Sequence, residues 1–291
     1  MTTYAVTGAS GQLGRLAIES LIARGIAPAD IVAIARSTDK IADLAERGVV
    51  VRFGDYSDEA SLDEALAGVD RLLLVSGSEF GKRAQQHAAV ISAAERAAVK
   101  HLAYTSILGA PTTSNPLAGE HVATEATLAA SSIPNTLLRN SWYTENYTGQ
   151  IGTYTASGAI LGATTNKAIG AAARADYADA AAVALIDAKA GSVYELGGAP
   201  FTLTELASAV TDATGTTVSY HDVSVENMVS TLEGFGMDSG MAGMWAAVDA
   251  SIAKGELATN SGHLEALTGH PATSLATVVA AAVASPTPAN H

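Results

Sequence analysis

The first half of the chain switches between two hydrophobic rhythms. Short runs, apolar at most positions, stand at Thr3–Thr7, Ile31–Ala35, Val49–Phe53, Arg71–Val75, His101–Thr105 and Asn135–Leu138. They read as six strands. Between them, apolar residues recur at helical spacing, as do Leu13, Leu16, Ala17, Leu21 and Ile22 within Gln12–Arg24. The same rhythm predicts helices over Thr38–Arg47, Ser57–Ala67, Gln85–Val99 and Glu120–Ala130. Strands without a polar face need cover on both sides. The alternation therefore predicts an α/β fold with a doubly wound parallel sheet and a ligand at the carboxyl ends of its strands.

After Asn140 the alternation breaks. Gly149–Ala173 is rich in Gly, Ala and Thr. Asp176–Ala188 reads as a helix and Val193–Leu196 as a short strand. Leu203–Thr214 reads as a helix with Thr202 as N-cap and Glu205 as its capping-box partner. Val218–His221 reads as a strand, and Val225–Val283 as mostly helical. This divides the chain into a larger domain, 1–148, and a smaller, mostly helical lobe, 149–285. The lobe is expected to lie over the cleft, partly interleaved with the first domain, and 286–291 to form a frayed tail.

The join between the first strand and helix is Gly8-Ala-Ser-Gly11-Gln-Leu-Gly14. Strand, glycine turn and helix start in that order make a seat for a dinucleotide pyrophosphate. Glycines allow the tight turn and close approach of the backbone, and the free N–H groups and dipole of the helix N-terminus meet the negative charge. The spacing is G-x-x-G-x-x-G rather than G-x-G-x-x-G, so its weight comes from context: a helix and a second strand complete a βαβ unit of about 30 residues. Gly8, Ala9, Ser10, Gly11, Gln12 and Leu13 are the expected contacts.

The other strand ends add candidates. Arg36 ends the second strand, where an NAD-binding fold would place an acid for the ribose 2′-hydroxyl. An Arg suits the 2′-phosphate of NADP instead, and the first acid, Asp39, comes too late. Asp55 and Tyr56 end the third strand; Asp55 can accept from the adenine amino group or cap a turn, and Tyr56 can flank the base. Ser76, Gly77 and Ser78 end the fourth strand, small enough for the nicotinamide ribose to approach. Thr105 ends the fifth.

Thr7-Gly-Ala-Ser-Gly-Gln-Leu-Gly14, Ile34-Ala-Arg36, Gly54-Asp55-Tyr56, Tyr104-Thr-Ser106, His121-Val-Ala-Thr-Glu125 and Leu138-Arg-Asn-Ser-Trp-Tyr-Thr-Glu-Asn146 together resemble the NmrA-like branch of the atypical short-chain dehydrogenases. Within it, the chain is similar to bacterial NADPH-dependent quinone oxidoreductases of the second type and to triphenylmethane-dye reductases, over nearly its whole length. The resemblance implies a Rossmann domain, NADPH as cofactor, and hydride transfer to a planar conjugated acceptor, most readily a quinone. It also leaves open an NmrA-type sensor that binds NADP(H) without turnover, or a reductase of triphenylmethane or azo dyes. It implies that Asn140, Ser141, Trp142, Tyr143, Thr144 and Glu145 close over the nicotinamide, that Trp142 and Tyr143 wall the acceptor, and that Arg174 joins the cofactor site. Where most short-chain dehydrogenases carry Tyr-x-x-x-Lys, this chain has Leu117 and His121, with Glu125 after them. The Tyr proton donor is missing. Hydride addition to a quinone yields a stabilised anion that water or a His can protonate, so His121, Tyr143 and Asn140 are the candidate catalytic residues.

Composition narrows the rest. A net charge of −13 without clustered Lys or Arg argues against nucleic acid and anionic membranes, yet leaves room for one phosphate-binding Arg. No apolar stretch reaches the roughly 18 residues of a membrane span, and no basic segment with a long apolar core opens the chain, so neither a span nor a signal peptide is expected. The absence of cysteine excludes disulfides, thiolate metal sites and a cysteine nucleophile, and fits the cytoplasm. No H-E-x-x-H or G-x-S-x-G occurs, and no metal is expected. The expected partner is a small-molecule quinone or dye, and the expected state a monomer or homodimer.

Overall fold

A computed structural model describes residues 1–285; the tail expected to fray, 286–291, lies outside the described residues. The strands are β1 (Tyr4–Val6), β2 (Ile31–Ala35), β3 (Val50–Phe53), β4 (Arg71–Leu74), β5 (His101–Ile107), β6 (Asn135–Asn140), β7 (Ala159–Gly162), β8 (Val193–Leu196) and β9 (Ser219–Asp222). The helices are α1 (Gln12–Ala23), α2 (Ala42–Glu46), α3 (Glu59–Leu66), α4 (Arg83–Arg96), α5 (Ala118–Ala130), α6 (Glu145–Thr148), α7 (Ile151–Ser157), α8 (Arg174–Asp187), α9 (Leu203–Thr214), α10 (Val225–Gly234), α11 (Ser239–Ala253), α12 (His263–Thr268) and α13 (Leu275–Ala284).

A seven-stranded sheet runs in the order β3-β2-β1-β4-β5-β6-β8, parallel throughout. Except at the edge strand β3, where Val50 and Phe53 are exposed, the apolar runs are explained by cover on both faces. Along β2, Ile31, Ala33 and Ala35 enter one core, with Leu13, Ile18 and Leu21 of α1 and Ala178, Ala181 and Leu185 of α8. Val32 and Ile34 enter the other, with Leu62 and Leu66 of α3, Val90 and Ile91 of α4 and Leu128 of α5. The period of two sends alternate side chains to opposite layers.

Residues beyond 148 return to this sheet: β8 forms its last strand and α8 packs on α1. Arg24, the residue that caps the end of α1, ties the two helices with a fork onto Asp179, at 2.7 and 2.6 Å. The second lobe has its own core, including Ile160, Leu206, Val210, Val248, Ile252 and Val279. Beside it β7 pairs in parallel with β9, and α9 starts with the expected capping box, Glu205 N–H on Thr202 Oγ1 and Thr202 N–H on Glu205 Oε2.

Two stretches differ from expectation. Gly149–Ala173 holds α7 and β7, joined where Gly158 turns through φ +69°; β7 is too short to show a period in sequence. Thr38–Arg47 is a 3-10 turn over Thr38–Ile41 followed by α2, and the break at Ile41 (φ −126°) accompanies burial of both Ile41 and Leu44.

Candidate active site

The strand order reverses direction between β1 and β4, and there a cavity of about 700 Å³ opens at the carboxyl ends of the strands. That size is in the range of cofactor sites. Gly8, Ser10, Gly11, Gln12, Leu13 and Gly14 form one wall. Gly8 has φ +60°, open to glycine but not to most side chains. A Cβ on Gly14 would sit 2.4 Å from the Gly8 carbonyl oxygen, so the start of α1 lies directly against the loop. Gly11 caps α1 without a side-chain hydrogen bond, leaving first-turn N–H groups for a ligand. This cradle fits a dinucleotide pyrophosphate. Ala9 is fully buried beneath it and donates its N–H to the Ile34 carbonyl at 3.0 Å.

Tyr56 lines the floor and pins the switch point. Its hydroxyl lies 2.5 Å from Thr7 Oγ1 and 2.8 Å from the Val75 carbonyl. Thr7 Oγ1 in turn accepts the Val75 N–H at 3.0 Å. Asp55 also lines the cavity, and its carboxylate accepts the Ser57 N–H at 2.9 Å, forming a turn; the N-cap of α3 is Asp58.

The loop after β4 is held from behind. Ser76 donates its N–H to Thr105 Oγ1 at 2.8 Å, so Thr105 supports the loop rather than lining the cavity. Gly77 is held at both ends of its backbone: its N–H donates to His87 Nε2 at 3.0 Å, and its carbonyl accepts from Arg83 Nε at 2.6 Å. His87 Nδ1 contacts Thr124 Oγ1 at 3.0 Å, and that hydroxyl donates to the Glu120 carbonyl at 2.9 Å. Only the neutral tautomer with its proton on Nδ1 satisfies this chain. Burial, then the Arg83 cation, pushes the His87 pKa down to about 3. His87 falls within the helix that the sequence predicts over Gln85–Val99. Arg83 was missed; nothing in a lone surface-type Arg on a helix predicts that its guanidinium folds back under a loop.

At the mouth, Arg36 NH1 donates to Glu79 Oε1 at 2.7 Å, and Lys82 stands 3.5 Å from the same carboxylate. Arg36 and Glu79 both line the cavity.

Tyr143 and Arg174 close the opposite wall. The Arg174 guanidinium stacks over the Tyr143 ring, 4.8 Å from its centroid. The backbone N–H of Arg174, at the start of α8, donates to both oxygens of Glu145, at 2.9 and 3.0 Å. Glu145 thus holds Arg174 in place from behind. Asn140 is buried beside the Tyr143 hydroxyl, and its Oδ1 has no hydrogen-bond partner among the described residues. Ser141 donates to the Leu257 carbonyl at 2.9 Å, and Thr144 N–H to the Ala172 carbonyl at 3.0 Å. Neither they nor Asn140 line this cavity. Trp142 turns away from it and packs edge-on against Trp245, 6.3 Å between centroids, in the second lobe. A second cavity, about 1100 Å³, adjoins at Gln12 and Arg174.

His121 is not on the helix surface. It is buried, Nδ1 2.7 Å from the Tyr104 hydroxyl, and burial followed by the Arg83 charge pushes its pKa down to about 3. It is a neutral imidazole at neutral pH and does not line the cavity. Glu125 joins Ser106, at 2.6 Å, and Arg139, at 2.7 Å, tying α5 to β5 and β6, and Arg139 reaches on to Glu195 of β8 at 2.8 Å.

The sequence profile of the NAD(P)H-binding family matches residues 8–188, the span that builds this cavity. The chain belongs to the NAD(P)H-binding family. Among its relatives, quinone oxidoreductase 2 of Escherichia coli is 46% identical over 274 residues, 94% of this chain and 96% of that protein. A crystal structure of the E. coli NADPH-dependent quinone oxidoreductase with NADPH superposes with a TM-score of 0.92 over 96% of this chain and 99% of that one. Triphenylmethane reductase of Citrobacter sp. with NADP(H), 37% identical, superposes at 0.90 over 96% of this chain and all of that one, 100%.

Proposed function

We propose that this chain is an NADPH-dependent oxidoreductase that reduces a planar conjugated acceptor, a quinone. The observation that carries the reading is the convergence of the glycine cradle, Arg36 and the Ser76–Ser78 loop on one cavity at the switch point of a parallel sheet. Near full-length similarity to an NADPH-dependent quinone oxidoreductase supports it. NADPH, when bound, supplies the hydride.

The chain's own residues bind and orient. The loop from Gly8 to Gly14 and the free N–H groups of α1 receive the pyrophosphate, and Arg36 the 2′-phosphate. Thr105, His87 and Arg83 fix the Ser76–Ser78 loop against which the nicotinamide ribose rests. Tyr143, backed by Arg174 and Glu145, presents an aromatic ring on the opposite wall for a flat acceptor. Proximity and orientation account for the catalysis, because Leu117, just before α5, and a neutral His121 stand in place of Tyr and Lys. A quinone tolerates this. The anion left by hydride addition is delocalised, and water protonates it.

As part of this reading the protein works in the cytoplasm, as a monomer or homodimer. Among the described residues no helix is long and apolar enough to cross a membrane. The test mixes the purified chain with NADPH and a panel of quinones and cationic triphenylmethane dyes. Loss of reduced-nicotinamide absorbance with quinones is expected; tight NADPH binding without oxidation by any acceptor overturns the reading.

A further inference from the structure

An NAD-binding fold carries an acid after its second strand for the ribose 2′-hydroxyl, and this chain carries Arg36 there. The fold brings an acid from elsewhere. Glu79, in the loop after β4, meets Arg36 across the cavity mouth at 2.7 Å and lies 3.5 Å from Lys82. Arg36 is 59% exposed and Glu79 33%, so neither side chain is locked by packing and the pair is free to exchange partners. Hydrogen bonding from Gln86, then Arg36, holds the Glu79 carboxyl below the usual range, so it is an anion at neutral pH.

We propose that Glu79 makes the ribose subsite ambivalent: it accepts the 2′-hydroxyl of NADH and competes with the 2′-phosphate of NADPH for Arg36, so that the chain takes both coenzymes. This rests on the reading of Arg36 as the 2′-phosphate site. A 2′-phosphate brings about two negative charges to a guanidinium that already holds one. Glu79 must then share Arg36 or shift toward Lys82, and either lowers the phosphate's affinity. A 2′-hydroxyl brings no charge. The Arg36–Glu79 pair stays intact, and the carboxylate gains a donor. One side chain therefore weakens NADPH and strengthens NADH.

Calorimetric titration of the full chain with adenosine 2′,5′-bisphosphate and with AMP isolates this subsite from the nicotinamide end. Glu79→Gln is expected to tighten the bisphosphate and weaken AMP, each by roughly three- to fivefold, as for exposed charge pairs, so the preference rises about tenfold. Added salt shrinks the difference. Glu79→Asp restores part of the wild-type ratio, and an unchanged melting temperature confirms folding. If Glu79→Gln leaves the ratio unchanged, or moves both ligands the same way, Glu79 is only a surface partner of Arg36 and the inference fails. Arg36→Met tests the reading beneath it: a bisphosphate preference that survives this change overturns the Arg36 assignment, independently of what Glu79→Gln does.

Discussion

The backbone N–H of Gly77 donates to His87 Nε2 at 3.0 Å. Backbone, imidazole, Thr124 hydroxyl and Glu120 carbonyl form one directed chain from the cavity loop into α5. His87→Phe removes the acceptor and leaves a half-buried amide unsatisfied, at a cost of about 1 kcal/mol. The expected result is a lower melting temperature and weaker NADPH binding by calorimetry. His87→Gln keeps an acceptor and is expected to be milder on both counts; equal losses for the two variants would show that the imidazole acts only by filling space.

Gly14→Ala places a methyl group 2.4 Å from the Gly8 carbonyl oxygen, a backbone atom that cannot swing aside. Overpacking of this kind costs roughly 1–3 kcal/mol. Because the strain falls on the phosphate cradle, NADPH affinity is expected to fall along with stability. Thermal melts with and without NADPH separate the two effects.

Arg36→Met is expected to raise the Kd for NADPH by about tenfold or more, the scale of a charge-assisted contact, and that for NADH by far less. Calorimetry with both coenzymes reads the difference. Equal loss for both removes Arg36 from the phosphate site.

Tyr143 and Trp142 are neighbours in sequence with opposite surroundings. Tyr143→Leu is expected to raise the KM for quinones several-fold by removing the ring that faces the cavity. Trp142→Leu is expected to lower stability by about 2 kcal/mol through the lost contact with Trp245, with little change in KM. Steady-state kinetics beside denaturant melts tell them apart.

Stability is expected to fall on the acid side of about pH 6.5, with one buried acid offsetting part of the loss. His87 and His121 have folded pKa values pushed down to about 3 from an ordinary 6.5. The unfolded chain binds their protons first, so their contribution is full above about 6.5 and is lost as pH falls toward 3, on the order of 1 kcal/mol per pH unit for each. Asp249 has the opposite sign. Burial raises its pKa to about 6 from 3.8, so its contribution is full below 3.8 and is lost as pH rises through about 6. Asp249→Asn should raise the melting temperature at pH 8 and leave it unchanged at pH 4; His87→Gln should flatten the acid limb.

Much of this was legible because apolar patterning and glycine chemistry are local. The unbroken apolar run Ile31–Ala35 announced a strand covered on both faces, and the order of strand, glycine turn and helix announced the phosphate cradle. The fold followed from these; the family followed from the resemblance carried by six motifs together, and the NAD(P)H-binding profile matches residues 8–188. Rotamer direction and long-range pairing were not legible. Nothing adjacent to Trp142 in sequence says that its ring leaves the cavity for Trp245, more than a hundred residues on. Nor does His121, spaced like a surface residue of a helix, reveal that it is sealed behind Tyr104. Glu79 and Arg36 come from different loops, and only the adjacency of β1 to both β2 and β4 brings their loops to the same mouth.

The last strand of the sheet, β8, pairs with β6 although more than fifty residues and part of another lobe lie between them. Until residue 196 has left the ribosome, β6 offers an open edge of hydrogen-bonding groups. The hydrophobic face that α8 covers is also bare until then. A nascent chain stopped before α8 and β8 would therefore be prone to self-association, and the first six strands depend on late synthesis to become a finished body.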